Sequence, residues 1–91
     1  MEGLQAPQFE LATACLLQRE GESFMRVSQF SEAEKSLTRC LELRSKLLLE
    51  RHPQMADIYS ALAELRAAQG RNAEAWTMRE KARKAYKTCF N

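Results

Sequence analysis

Few residues in this chain carry chemistry, and their spacing argues against catalysis. His52 is the single histidine, and it stands beside Pro53, where a turn is expected. No serine or cysteine is tied to it by spacing, so no pairing of nucleophile and base is legible. Carboxylates pair at Glu20 with Glu22 and at Glu32 with Glu34. General acid–base work needs an enclosed carboxylate with a tuned pKa, whereas these four fall on the polar faces of helical segments. Cys15, Cys40 and Cys89 are odd in number and widely spaced, with no CxxC pair. They give neither a disulfide framework nor a metal knuckle. As packing or surface thiols they fit a reducing compartment, and a cytoplasmic setting is expected. The sequence contains no glycine-rich phosphate loop. The reading is a non-enzyme with no cofactor and no bound metal.

The elements that hold these residues are helices. A length of 91 residues suffices for one domain with a modest core. Hydrophobic residues at 45% and charged residues at 29% suit a folded chain. Three glycines and two prolines leave few breakers among many Ala, Leu, Glu, Arg and Gln. No signal peptide is legible, and no apolar run approaches the roughly 18 residues that span a membrane.

Four helical segments are expected, at about 7–28, 31–50, 53–69 and 72–88. Pro7 and Pro53 suit first turns, His52-Pro53 breaks the chain between the second and third segments, and Gly70 stops the third. Ser31 and Glu34 read as a capping box for the second segment, and Asn72 as the cap of the fourth. Apolar stripes run through Phe9, Leu16, Leu17, Phe24 and Val27, then Ala33, Leu37, Cys40, Leu41 and Leu48. They continue through Tyr59, Leu62 and Ala63, then Ala75, Met78, Ala82 and Ala85. Gly21 interrupts its helix, which marks close approach by a neighbour. The short connections make consecutive helices antiparallel. The domain reading is a flexible N-terminus at 1–6 and a helical domain at 7–91, with one helix pair at about 7–50 and another at about 53–88.

The two pairs repeat. An offset of 42 residues places Ala33 on Ala75, Gly21 on Ala63, Leu17 on Tyr59 and Cys40 on Ala82. Small residues recur where helices touch, with larger apolar residues beside them, and helix pairs of this kind stack into solenoids. Through Tyr59, Leu62, Ala63, Gly70, Ala75 and Ala82 the sequence resembles the tetratricopeptide repeat (TPR) family. The first pair matches through Leu17, Gly21, Phe24, Phe30, Ala33 and Cys40, with Glu20 where that family has Leu. The 42-residue spacing, the stretch Thr38-Arg39-Cys40-Leu41-Glu42-Leu43-Arg44-Ser45-Lys46 and the His52-Pro53 junction look like the kinesin-light-chain variety. Leu49 and Gln54 depart from its usual Gly and Asp. The resemblance implies an all-α fold of two antiparallel helix-turn-helix repeats, an α-solenoid fragment.

It also implies a protein-protein interaction scaffold that binds a peptide or partner helix on the concave face made by the first helix of each repeat. Carried onto this chain, that face holds Cys15, Gln18, Arg19, Glu22, Met25 and Arg26, then Asp57, Ser60, Ala61 and Glu64. Gln18, Glu22 and Ala61 stand where chaperone-binding members hold a C-terminal carboxylate with Lys and Asn, so that clamp is not expected. Ser60-Ala61 stands where kinesin-light-chain arrays present paired asparagines, so the same cargo does not follow.

Charge suggests an alternative. The chain carries −3 up to Glu64 and +5 from Arg66 onward, giving a net +2. Arg71, Arg79, Lys81, Arg83, Lys84 and Lys87 could meet phosphates, with Tyr86 and Phe90 stacking on bases, in an RNA-binding helical repeat. A protein or peptide partner is the expected one, rather than nucleic acid or membrane. A further alternative is a structural, self-associating helical module. Leu37 and Leu41 on the second helix correspond to Arg79 and Arg83 on the fourth, and a polar outer face suits a terminal repeat. Leu11, Cys15, Leu16 and Met25 leave the first helix with an apolar side to be covered, by a homo-oligomer or by partner helices.

Overall fold

Helix-favouring composition and two first-turn prolines produce four helices: α1 (Pro7–Arg26), α2 (Phe30–Leu47), α3 (Pro53–Ala68) and α4 (Asn72–Phe90). The computed structural model describes residues 7–90, without a strand among them. The segment 1–6, expected to be flexible, lies outside the described residues, as do the side chains of Cys89 and Phe90. Gln18 on α1 meets Arg44 on α2, while the later Glu20 meets the earlier Ser36, so the pair is antiparallel. In the same way Asp57, early in α3, meets Tyr86, late in α4.

The turn inside each pair has one design. Gln29 N–H donates to Phe24 O at 2.9 Å and Ser28 N–H to Met25 O at 3.0 Å. Arg71 N–H donates to Arg66 O at 2.8 Å and Gly70 N–H to Ala67 O at 3.0 Å. Both are Schellman closures, which need a left-handed residue just past the helix. Ser28 (φ 61°) and Gly70 (φ 82°) supply it, 42 residues apart.

Two caps differ from expectation. The second helix starts at Phe30, with Gln29 at the N-cap position and no side-chain cap bond. Glu34 does not reach back to the backbone. It accepts from Gln69 Nε2 at 3.2 Å and pairs with Arg66 at 3.2 Å and Arg71 at 3.7 Å. Cationic donors from the next turn outcompete a backbone amide that water can serve. The fourth helix starts at Asn72 itself, and Ala75 N–H donates to Arg71 O at 3.0 Å, so Arg71 holds the capping position. Between the pairs, α2 stops at Leu47, short of the expected Glu50. Leu48 turns extended (φ −122°, ψ 150°) and packs against Met55, Tyr59 and Ala82. His52 then caps α3, its Nδ1 accepting from Gln54 N–H at 3.0 Å.

One core cluster runs through Ala14, Ala33, Leu37, Cys40, Leu43, Ile58, Ala61, Leu62 and Leu65, joining α1, α2 and α3. Small residues let the backbones approach. A Cβ built on Gly21 would lie 2.6 Å from Leu37 Cγ and Cδ2, so only glycine fits there without displacement. Ala63 and Ala75, the counterparts of Gly21 and Ala33 in the second pair, are 1% and 0% exposed, as the small-residue pattern predicts. The pairs are tied together at both ends. At one, Glu34 gathers Arg66, Arg71 and Gln69; at the other, Arg44 donates both to Gln18 on α1 and to the Gln54 carbonyl in the first turn of α3.

Candidate functional site

The helical period of 3.6 sets which side chains share a face. On α1 it aligns Gln18, Glu22 and Met25, and on α3 it aligns Asp57, Ser60 and Glu64. Glu22 and Glu64 are repeat counterparts, as are Gln18 and Ser60. Where α1 and α3 run side by side, Glu22, Met25, Arg26 and Glu64 line a shallow cleft of about 320 Å³. Glu64 is exposed and Glu22 half-buried. Met25 is half-buried and packs against the core, which fixes the apolar wall of the cleft. Arg26 Nη2 donates to Ser23 Oγ at 3.2 Å, so its guanidinium is steered along α1 rather than across to either glutamate.

The other expected site residues are placed apart from this cleft. Gln18 is turned toward the interior. Its Oε1 accepts from Arg44 Nη1 at 2.6 Å, and its Nε2 donates to Glu22 Oε2 at 3.0 Å. Asp57 accepts from the Tyr86 hydroxyl at 2.7 Å, and Ser60 lines a separate groove between α3 and α4. Arg19 is exposed, about 100° around the helix from Gln18. Its repeat counterpart, Ala61, is buried against the preceding pair, so Arg19 occupies the outward-stacking face of α1.

Arg44 is the functional neighbour that the sequence reading passed over. It is 3% exposed, and it forms no ion pair with a carboxylate among the described residues. Its guanidinium donates to Gln18 Oε1, to Gln54 O at 3.0 Å and to Cys15 Sγ at 3.6 Å, while Nε has no partner. A buried cation needs compensation. Here the compensating charge is one amide away: Arg44 to Gln18 to Glu22 is a continuous hydrogen-bonded relay. The signal for it was the 42-residue offset, which sets Arg44 on Tyr86 and Gln18 on Ser60. The hydrogen bond to Asp57, with burial added, pushes the Tyr86 hydroxyl above its usual value. Burial also drives the Cys40 thiol up to about 11, only partly offset by Arg44, so Cys40 is a core thiol rather than a nucleophile.

Several basic residues of the second half are engaged within the fold. Lys81 stands over the Tyr59 ring at 5.5 Å. Arg71 pairs with Glu34 and Glu74, and Arg83 pairs with Glu80 at 2.7 Å. Among the described residues no group of His, Cys, Asp and Glu could hold a metal ion. No described helix is long and apolar enough to cross a membrane.

The sequence profile of the tetratricopeptide repeat matches residues 12–88. The chain belongs to the tetratricopeptide repeat family. No curated protein and no solved structure matches it. TPR domains generally mediate binding to protein partners and are typically non-catalytic, so the family points to an interaction scaffold.

Proposed function

We propose that this chain binds a peptide or partner helix along the α1–α3 face, with the Glu22–Glu64 cleft as its centre. The observation that carries this is the meeting of two repeat-equivalent carboxylates with the Met25 thioether and Arg26 in one cleft. Two carboxylates against a polarisable apolar wall suit a ligand with a basic side chain on an apolar stem. Gln18, Asp57 and Ser60 continue the face on either side, and Arg19 flanks it. The 42-residue spacing supports the kinesin-light-chain variety. The free thiols Cys15 and Cys40 support a cytoplasmic setting.

Selection from a displayed random peptide library tests the reading. Enriched peptides are expected to carry Lys or Arg beside an apolar residue. Glu22→Gln with Glu64→Gln keeps side-chain shape while removing charge, and is expected to weaken them about tenfold, the scale of two lost charge contacts. Enrichment of peptides without a basic residue, or affinity unchanged by the double substitution, would overturn it.

A second reading has its own observation. Phe9 and Leu16 on α1 are 67% and 65% exposed, and Val27 just past its end is 63% exposed, apolar surface that supports self-association through that helix. Sedimentation at rising concentration should then show a dimer that Leu16→Glu dissolves. A parent chain that stays monomeric removes this reading.

A further inference from the structure

The second pair offers the same helix seat as the first, with different walls. In the first pair, α3 lies on the α1–α2 groove, and Ile58, Ala61 and Leu65 are buried with Leu37 and Cys40. The 42-residue operation that carries α1–α2 onto α3–α4 carries this seat with it. A groove of about 640 Å³ lies there, lined by Ser60, Arg79, Ala82, Arg83, Tyr86 and Lys87. Five of its six lining residues are counterparts of the first seat, Arg79 for Leu37, Ala82 for Cys40, Arg83 for Leu41, Tyr86 for Arg44 and Ser60 for Gln18, while Lys87 answers to the exposed Ser45. The floor keeps its small residue, since Ala82 is 4% exposed. The walls change from leucine to arginine.

Arg79, Arg83 and Lys87 recur every four residues, so they stand about 6 Å apart along one stripe of α4. Arg83 is engaged by Glu80. Arg79 and Lys87 are exposed and have no ion-pair partner among the described residues. A seat shaped for a helix, with a small apolar floor and a row of cations at helical spacing, selects a helix with carboxylates at the same spacing. We propose that the α3–α4 groove docks an acidic amphipathic helix of a partner protein, laid on it as α3 lies on α1–α2.

A second copy of this chain does not meet these terms. Its α1, the counterpart of α3, would present Leu16, Arg19 and Ser23 in place of Ile58, Ala61 and Leu65. Arg19 would then face Arg79 and Arg83, and like charges at a contact select against that partner. The site is separate from the Glu22–Glu64 cleft, so either can fail without the other.

The test uses the full chain and a labelled synthetic peptide of about 20 residues, long enough to be partly helical. The peptide carries Glu at every fourth position beside an Ala-Leu ridge. A scrambled peptide of identical composition and a single-stranded oligouridylate are titrated in parallel by fluorescence anisotropy. The phased peptide is expected to bind roughly tenfold or more tightly than the scrambled one. Arg79→Glu with Lys87→Glu should abolish that preference, and Arg79→Gln with Lys87→Gln should reduce it, both at an unchanged melting temperature. Glu22→Gln with Glu64→Gln should leave it intact. Equal binding of the two peptides, tighter binding of the oligouridylate than of the phased peptide, or full affinity in the charge-reversed chain would overturn the proposal.

Discussion

Gly21→Ala adds one methyl group at the closest approach of α1 and α2, and the structure fixes the sign of its effect. The new Cβ would lie 2.6 Å from Leu37 Cγ and Cδ2 and 3.4 Å from Ala33 O. Carbon atoms prefer about 3.5–4.0 Å, so the leucine contact is overlapped by roughly an ångström. A surface leucine would swing aside, but Leu37 is 0% exposed and is locked among Cys40, Ala61 and Leu65. Overpacking of this kind costs about 1–3 kcal/mol. Alanine regains about 1 kcal/mol over glycine inside a helix. The net expectation is destabilisation of about 1 kcal/mol, a fall in melting temperature of about 4–8 °C for a domain of this size. The decisive assay is a double-mutant cycle by urea unfolding. Leu37→Ala alone should cost about 2–5 kcal/mol. In that background the obstruction is gone, and Gly21→Ala should stabilise by about 1 kcal/mol. The coupling of about 2 kcal/mol, with its change of sign, is the signature of direct contact. If Gly21→Ala raises stability in the parent chain, or acts equally in both backgrounds, the account of α1–α2 packing is wrong.

Two further outcomes follow from the turns. Ser28 holds a left-handed conformation that glycine adopts freely, so Ser28→Gly should stabilise by about 0.5–1 kcal/mol, while Gly70→Ala should cost about 1 kcal/mol through backbone strain alone, since nothing lies within 4 Å of the added methyl. Thermal melts of the two variants should shift in opposite directions. The hydrogen bond from Gln69, aided by Arg66 and Arg71, holds the Glu34 carboxyl below its ordinary value of 4.5. Its contribution is therefore complete above that value and is lost as pH falls through the lower folded one. Glu34→Gln should be less stable than the parent at neutral pH and converge with it in acid. A stability difference that stays constant with pH would contradict this.

The sequence made the fold legible because each helix announces itself more than once. Pro53, Gly70 and the stripe Tyr59, Leu62, Ala63 agree on α3 independently, and the 42-residue offset then transfers that reading to the less regular first pair. Caps were harder. Ser31 and Glu34 have the right types and spacing for a capping box, but the arginines that claim Glu34 lie in the next helix and the turn after it. A local pattern cannot report a competitor brought in by the tertiary fold. The same limit applies to the proposed binding face. Helical periodicity groups Gln18, Glu22 and Met25 on one side of α1, yet it could not show that Gln18 would be drawn inward by Arg44. Nor could it show that Asp57 would be held by Tyr86.

Repetition and divergence have separate effects in this chain. The buried positions at which the two pairs agree are small: Ala33 with Ala75, Gly21 with Ala63, and Cys40 with Ala82. They set the distance between backbones, which any binding chemistry must leave alone. The positions at which the pairs differ line the exposed grooves. Leu37 and Leu41 give way to Arg79 and Arg83, because the first two are covered by α3 and the second two face open space. Arg44 gives way to Tyr86 for a related reason. Beneath α3 a buried guanidinium can be satisfied by the Gln54 carbonyl and by the relay through Gln18 to Glu22, whereas at the open end a phenol hydrogen-bonded to Asp57 needs no such cover. Two surface carboxylate positions also agree between the pairs, Glu22 with Glu64 and Glu32 with Glu74, although none of the four is in the core. Glu32 and Glu74 each stand in the first turn of a helix, where the dipole favours an acid, whereas Glu22 and Glu64 meet in one cleft, the arrangement on which the proposed peptide site rests.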